Sequence, residues 1–195
     1  AVDLGCHEGY PGHHVWNMTV ENRVLKDRGW IEHSVFPLFS PAGLVAEGSG
    51  NYGIDLAFPG EEKLRYEREV LYPMAGLDPA LAESLERLNK LTSELAFARL
   101  ATARMYLDGE ISRNEAIERT RKYGLVSRER AEKSVRFTEQ YRSYVLNYSL
   151  GKKLVRAYIE GQADDPAGRW QAFEQMLIDM PTASAPSNFS MRISA

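Results

Sequence analysis

The sequence predicts an all-α fold, and three observations carry that prediction. Apolar residues recur at three- and four-residue spacing along most of the 195-residue chain, the period of amphipathic helices rather than of strands. Helix starts are marked by cap-plus-proline pairs at Ser40-Pro41, Asp78-Pro79 and Asp165-Pro166, since proline is suited to the first helical position. Ser112 followed by Glu115 reads as a capping box.

These signals set the elements in order. A helix is expected over about residues 13–27, stopped by Gly29. Residues 30–39 are mixed, a loop or a short strand. The next helix runs from Pro41 to about Phe58 and stops at Pro59-Gly60. Residues 61–72 are charged and amphipathic and end before Pro73. A long helix follows Asp78-Pro79 to Asp108-Gly109, with Leu81, Leu85, Leu88, Leu91 and Leu95 marking its apolar face. A short helix runs from the Ser112 cap to Gly124, a long one from Ser127 to about Glu160, and a last one from Pro166 to about Asp179. No repeat or linker divides the chain. Residues 1–179 are therefore expected to form one helical domain, or the C-terminal half of one. Residues 180–195, rich in Ser, Ala and Pro, are expected to be an extended or disordered tail.

Composition narrows the function. A net charge of −3 makes no electrostatic case for nucleic acid or an anionic membrane. No apolar run approaches the ~20 residues of a membrane span. Cys6 is the only cysteine, which rules out an internal disulfide and a cysteine-based zinc site. It reads as a small buried residue. The chain opens Ala-Val-Asp-Leu and reaches its most informative motif at once. That is expected of a C-terminal fragment, whose missing N-terminal part would then be a partner.

The motif is His7-Glu8-Gly9-Tyr10-Pro11-Gly12-His13-His14. It is a stretched form of His-Glu-x-x-His, in which two histidines one helical turn apart hold zinc and the glutamate acts as general base. Here Pro11 occupies the i+4 position. On an unbroken helix His13 would lie about 9 Å along the axis and roughly 120° around it from His7, and His14 about 10.5 Å along it. Zinc–nitrogen bonds of about 2.0–2.1 Å require the ligand nitrogens within roughly 4 Å of each other, so a straight helix fails for both. Proline disrupts the helix and glycine tolerates unusual backbone angles. A local bulge at Pro11-Gly12 that absorbs two residues would put His13 in the ligand position, with His14 behind it or facing substrate. His13 is preferred over the in-phase His14.

A third ligand is needed, leaving a fourth position for water. The best candidate is Glu47, in a capped helix that also contains Gly48, Gly50 and Gly53. Each glycine costs the helix about 1 kcal/mol, which makes sense if another helix or a substrate approaches closely. Asn51 and Asp55 share a face with Glu47 and are candidates to orient a metal-bound histidine. Phe137, Tyr141, Tyr144 and Tyr148 fall at helical spacing. Tyr144 and Tyr148, with Arg142 behind them, are candidates to stabilise an oxyanion. His33 reads as a surface or packing residue.

Taken in order, these residues resemble a known family. His7-Glu8-x-x-Pro11-Gly12-His13-His14 is similar to the signature of the bacterial domain-of-unknown-function family 885, a set of helical zinc metallopeptidase-like proteins. Glu47-Gly48 with Tyr52 resembles its Glu-Gly-Trp-Ala-x-Tyr segment. Tyr144-x-x-x-Tyr148-Ser149-Leu150-Gly151 resembles its late Tyr-x-x-Gly motif. Ser49 and Gly50 stand where that family usually has Trp and Ala. The resemblance implies one Zn²⁺ on His7, His13 and Glu47, Glu8 as base, and a peptide or small amide as substrate. The protein is expected to be soluble, in the bacterial cytoplasm or exported, and the sequence does not give which. Against this expectation stand a metal-dependent hydrolase of another amide or ester, a non-catalytic helical module with a structural metal site, for instance with His14 as a fourth ligand, and a helical interaction domain with no metal.

Overall fold

A computed structural model describes residues 1–179; the expected tail, 180–195, lies outside the described residues. The described chain is predominantly helical, with no strand. Its helices are α1 (Val2–Glu8), α2 (His13–Thr19, continuing in π-helical turns over Val20–Asp27), α3 (Pro41–Ala57), α4 (Glu62–Tyr66, continuing in π-helical turns over Glu67–Leu71) and α5 (Tyr72–Met74). Then come α6 (Leu81–Glu94), α7 (Ala96–Leu107), α8 (Arg113–Gly124), α9 (Arg128–Tyr141), α10 (Leu146–Glu160) and α11 (Pro166–Asp179). The mixed segment 30–39 has one 3-10 turn, Ile31–Ser34, and no strand. No helix among the described residues is long and apolar enough to cross a membrane.

The chain forms two compact units. Among the described residues, one joins Ala1–Phe58 to 146–179, and the other is Pro59–Val145. The first unit is discontinuous in sequence, which local composition does not reveal.

In the first unit α3 is the central element, touching α1, α2, α10 and α11. Pro41 starts it and Ser40 adopts the extended backbone of a cap, although the Ser40 side chain makes no capping bond. Its buried residues include Val45, Ala46, Tyr52 and Leu56. These join Trp16 of α2, Val155 and Ile159 of α10, and Phe173, Met176 and Leu177 of α11 in one apolar core. The approach of α10 is close. A Cβ on Gly48 would fall 2.5 Å from the Gly151 carbonyl oxygen and 2.8 Å from Val155 Cγ2, and one on Gly151 would fall 2.6 Å from the Leu44 carbonyl oxygen. The two helices meet backbone to backbone.

The second unit is held by α7, α8 and α9, which contact one another around Ala116, Ile117, Ala131 and Val135. The capping box forms as its spacing predicts: Ser112 and Glu115 exchange bonds, and Ser127 caps α9 through the Arg130 N–H. Two expected long helices are each broken. The segment after Asp78 divides at Leu95 (φ −87°, ψ 0°), whose N–H bonds the carbonyl of Thr92 in a tightened turn. Its Leu81, Leu85, Leu88 and Leu91 stand exposed. The segment after Ser127 divides at Arg142, which has φ +47°. That left-handed conformation is unfavourable for a residue with a Cβ and ends α9 just before the chain returns to the first unit. The four aromatic residues therefore do not share one helical stripe. Phe137 and Tyr141 are on α9, Tyr144 is in the 3-10 turn Arg142–Val145, and Tyr148 is on α10.

Because Gly48 has no room for a side chain, Gly48→Ala is expected to destabilise the protein by about 1–3 kcal/mol through overpacking, read as a lower urea midpoint. Gly5→Ala is the control: a Cβ there meets nothing within 4 Å, so its midpoint should stay level or rise.

Candidate metal centre

The stretched motif is resolved by a complete break, not by the bulge its spacing suggests. Helix α1 ends at Glu8 and α2 begins at His13. Between them the Gly12 N–H donates to the carbonyl of Cys6 (2.9 Å), closing a wide turn, and the Gly12 carbonyl accepts from Trp16 N–H (3.1 Å). Gly12 lies so close to the end of α1 that a Cβ there would fall 1.8 Å from the His7 carbonyl oxygen. Only glycine allows that fold-back. Pro11 is fully buried and sits against α3, where a Cβ on Gly53 would be 2.7 Å from Pro11 Cγ. The physical reason for the break is cumulative: proline cannot continue the ladder, and the turn directs His13 back towards His7.

The two imidazoles meet edge to face, with ring centroids 4.6 Å apart. Glu47 of α3 reaches both. Its Oε2 is 3.3 Å from His7 Nε2 and its Oε1 is 3.6 Å from His13 Nε2. Glu47 is only 7 % exposed. One donor atom from each of the three residues lies within 4.8 Å of the others. Four ligands placed tetrahedrally at 2.0–2.1 Å from zinc are about 3.4 Å apart, so the His7–Glu47 and His13–Glu47 separations fit that ion. The donor set, two imidazole nitrogens and a carboxylate oxygen, suits zinc chemistry as well.

The glycines of α3 acquire separate reasons. Gly48 admits α10, Gly53 admits Pro11, and Gly50 admits the His7 ring itself: a Cβ there would lie 2.9 Å from His7 Nδ1 and 3.0 Å from Cε1. The glycine run in the sequence signals close approach. The identity of each neighbour lies in segments about 40 or 100 residues away.

Electrostatics hold His7 towards its protonated form. The hydrogen bond with Glu47 is the main cause of its raised pKa. Burial opposes it, and the charges of Glu47 and Glu8 and a hydrogen bond with Asn51 add to it. Glu8 is exposed at the end of α1, next to His7.

The remaining candidates fall in different places. His14 is exposed on α2 and is not part of the three-residue cluster. Asn51 donates through Nδ2 to the carbonyl of Tyr148 (3.3 Å). Asp55 is engaged by two cations of α10, Lys152 (Nζ–Oδ2 3.0 Å) and Arg156, and so holds α3 to α10. Tyr148 is exposed on α10. Tyr144 belongs to the second unit, buried with its ring centroid 6.1 Å from that of Tyr141. Cys6 is buried, and His33 stacks on Trp30.

No protein-family model, no curated protein and no solved structure matches this chain.

Gly50→Ala should displace the His7 ring while leaving α3 helical. If the cluster takes up a metal ion, its affinity by calorimetric titration is expected to drop about 10–100-fold, the scale set by disturbed ligand orientation, with helical content unchanged. A second expectation concerns the metal-free protein. A histidine whose pKa is raised by folding adds stability that is fully present below its unfolded value of about 6.5 and is lost as pH rises through the raised value. The melting temperature should fall across that window, and Glu47→Gln should flatten the fall.

Proposed function

We propose that this protein is a zinc-dependent hydrolase that cleaves peptide bonds or small amides. The observation that carries the reading is the convergence of His7, His13 and Glu47, from three helices, at separations of 3.3 and 3.6 Å on a buried carboxylate. The resemblance of their sequence motifs to family 885 supports it.

Three protein ligands leave a fourth position open, the pattern of catalytic rather than structural zinc. The exposure of His14, which as a fourth ligand would close the site, favours the catalytic reading. When bound, zinc supplies Lewis acidity that favours ionisation of water and polarises a carbonyl oxygen. His7 and His13 would hold the ion through the Nε2 atoms that face Glu47, and the Glu47 carboxylate would offset part of its charge. Glu8 follows His7 directly and its carboxylate is open to solvent. In this reading it accepts the proton of the attacking water and then delivers it to the leaving amine, as a positioned carboxylate does in general acid–base catalysis. The Tyr148 hydroxyl, on an exposed side chain of α10, is the proposed hydrogen-bond donor to the developing oxyanion.

Glu8→Gln separates binding from chemistry. Zinc affinity should be unchanged, and hydrolysis across a panel of peptides and small amides should fall at least about 10²-fold. Wild-type turnover in that variant would overturn the mechanism, and a wild-type protein that takes up no zinc would overturn the class.

A further inference from the structure

We propose that Tyr10 and Trp170 form a positioning stack for the metal centre: α11 grips the turn between His7 and His13 through the Tyr10 ring and so fixes the separation of the two imidazoles. The inference deepens the zinc-site reading and rests on it for the ligand roles of the two histidines.

The turn that joins α1 to α2 is residues 9–12, Gly-Tyr-Pro-Gly. Its backbone is closed by the bond from the Gly12 N–H to the Cys6 carbonyl. Tyr10 and Pro11 carry its side chains, so side-chain packing can hold the turn at those two points. They are held by different helices. Pro11 is buried against α3 at Gly53. Tyr10 stacks on Trp170 of α11, with ring centroids 5.8 Å apart and an interplanar angle of 27°. Trp170 in turn meets Phe173 edge to face at 6.2 Å, and Phe173 belongs to the apolar core. A line of three rings therefore runs from the core to the turn.

Burial does not account for the place of Tyr10, which is 65% exposed. Its tie is the stack, a contact with a preferred geometry as well as an attraction. A turn pinned at Pro11 alone would be free to pivot about that contact. A second point on another helix removes the pivot. Tyr10 is three residues from each histidine, so a movement there reaches both ligands. The two imidazole centroids are 4.6 Å apart, and a metal tolerates ligand distances only within about 0.2 Å of ideal.

The test is a double-mutant cycle in the full chain. Tyr10→Phe keeps the ring, Tyr10→Ala removes it, and Trp170→Ala removes its support. In zinc titrations Tyr10→Ala should bind about 10-fold more weakly, the lower end of the loss caused by missing supporting contacts, with Tyr10→Phe close to wild type. In a Trp170→Ala background Tyr10→Ala should have no further effect, because the two residues act through one contact. Tyr10→Ala replaces an exposed side chain and should keep its helical content. In the metal-free protein a nuclear Overhauser contact between the ring protons of His7 and His13 is expected in the wild type and in Tyr10→Phe, and should weaken in Tyr10→Ala. If that contact is unchanged in Tyr10→Ala, if Tyr10→Ala binds zinc as the wild type does, if Phe and Ala lose equally, or if the loss is the same size in the Trp170→Ala background, the stack does not position the ligands and the proposal fails. A wild type that binds no zinc would defeat the zinc reading alone, and the histidine ring contact would still decide the role of the stack.

Discussion

Glu47 is an acid placed on the most buried helix of its unit, and the rest of the site follows from that placement. Removing a carboxylate from water costs several kcal/mol unless partners repay it. The partners here are the imidazoles of His7 and His13, one on each oxygen. Both must reach α3 from the N-terminal segment, and neither can do so if α1 and α2 form one continuous rod. The Pro11-Gly12 break is thus a condition for burying Glu47 between the two imidazoles. The same carboxylate, flanked by two Nε2 atoms, has a donor spacing that could hold a metal ion.

Closeness is the second condition. Helix α3 meets its neighbours through positions without side chains. Three glycines within six residues admit three different groups: the backbone of α10, the His7 ring and the Pro11 ring. Glycine inside a helix weakens it, so these positions cannot be explained by local preference. Burial of the surrounding core, from Trp16 to Met176, offsets that weakness. Asp55 adds polar ties to Lys152 and Arg156 at the edge of the same helix pair.

The second unit is built on a different balance. Its small core is supported by strong local devices: a full capping box at Ser112, a serine cap at Ser127, and Glu139 accepting bonds from Tyr106 and Arg113. Its helix α9 ends at Arg142, a residue in a conformation that its own side chain disfavours. Tertiary structure imposes that break against local preference.

What could be known from the sequence is what depends on residues three or four apart. The helical class, the capping box, the cap at Asp165 and the stops at Gly29 and Gly109 all follow from bonds and dihedral angles within one turn. The candidate ligands were legible as well, because the histidine-glutamate cluster and the glycine-rich acid segment are unusual in composition. Tertiary structure alone decided the rest. It ended α1 at Glu8 rather than bulging it, split the chain at Leu95 and Arg142, left Leu81 to Leu91 exposed, and sent Asp55 to two cations instead of a histidine. Those outcomes turn on groups brought together across about 40 to 100 residues, such as Glu47 with His7 or Gly48 with Gly151, and no local pattern encodes which distant atoms will arrive.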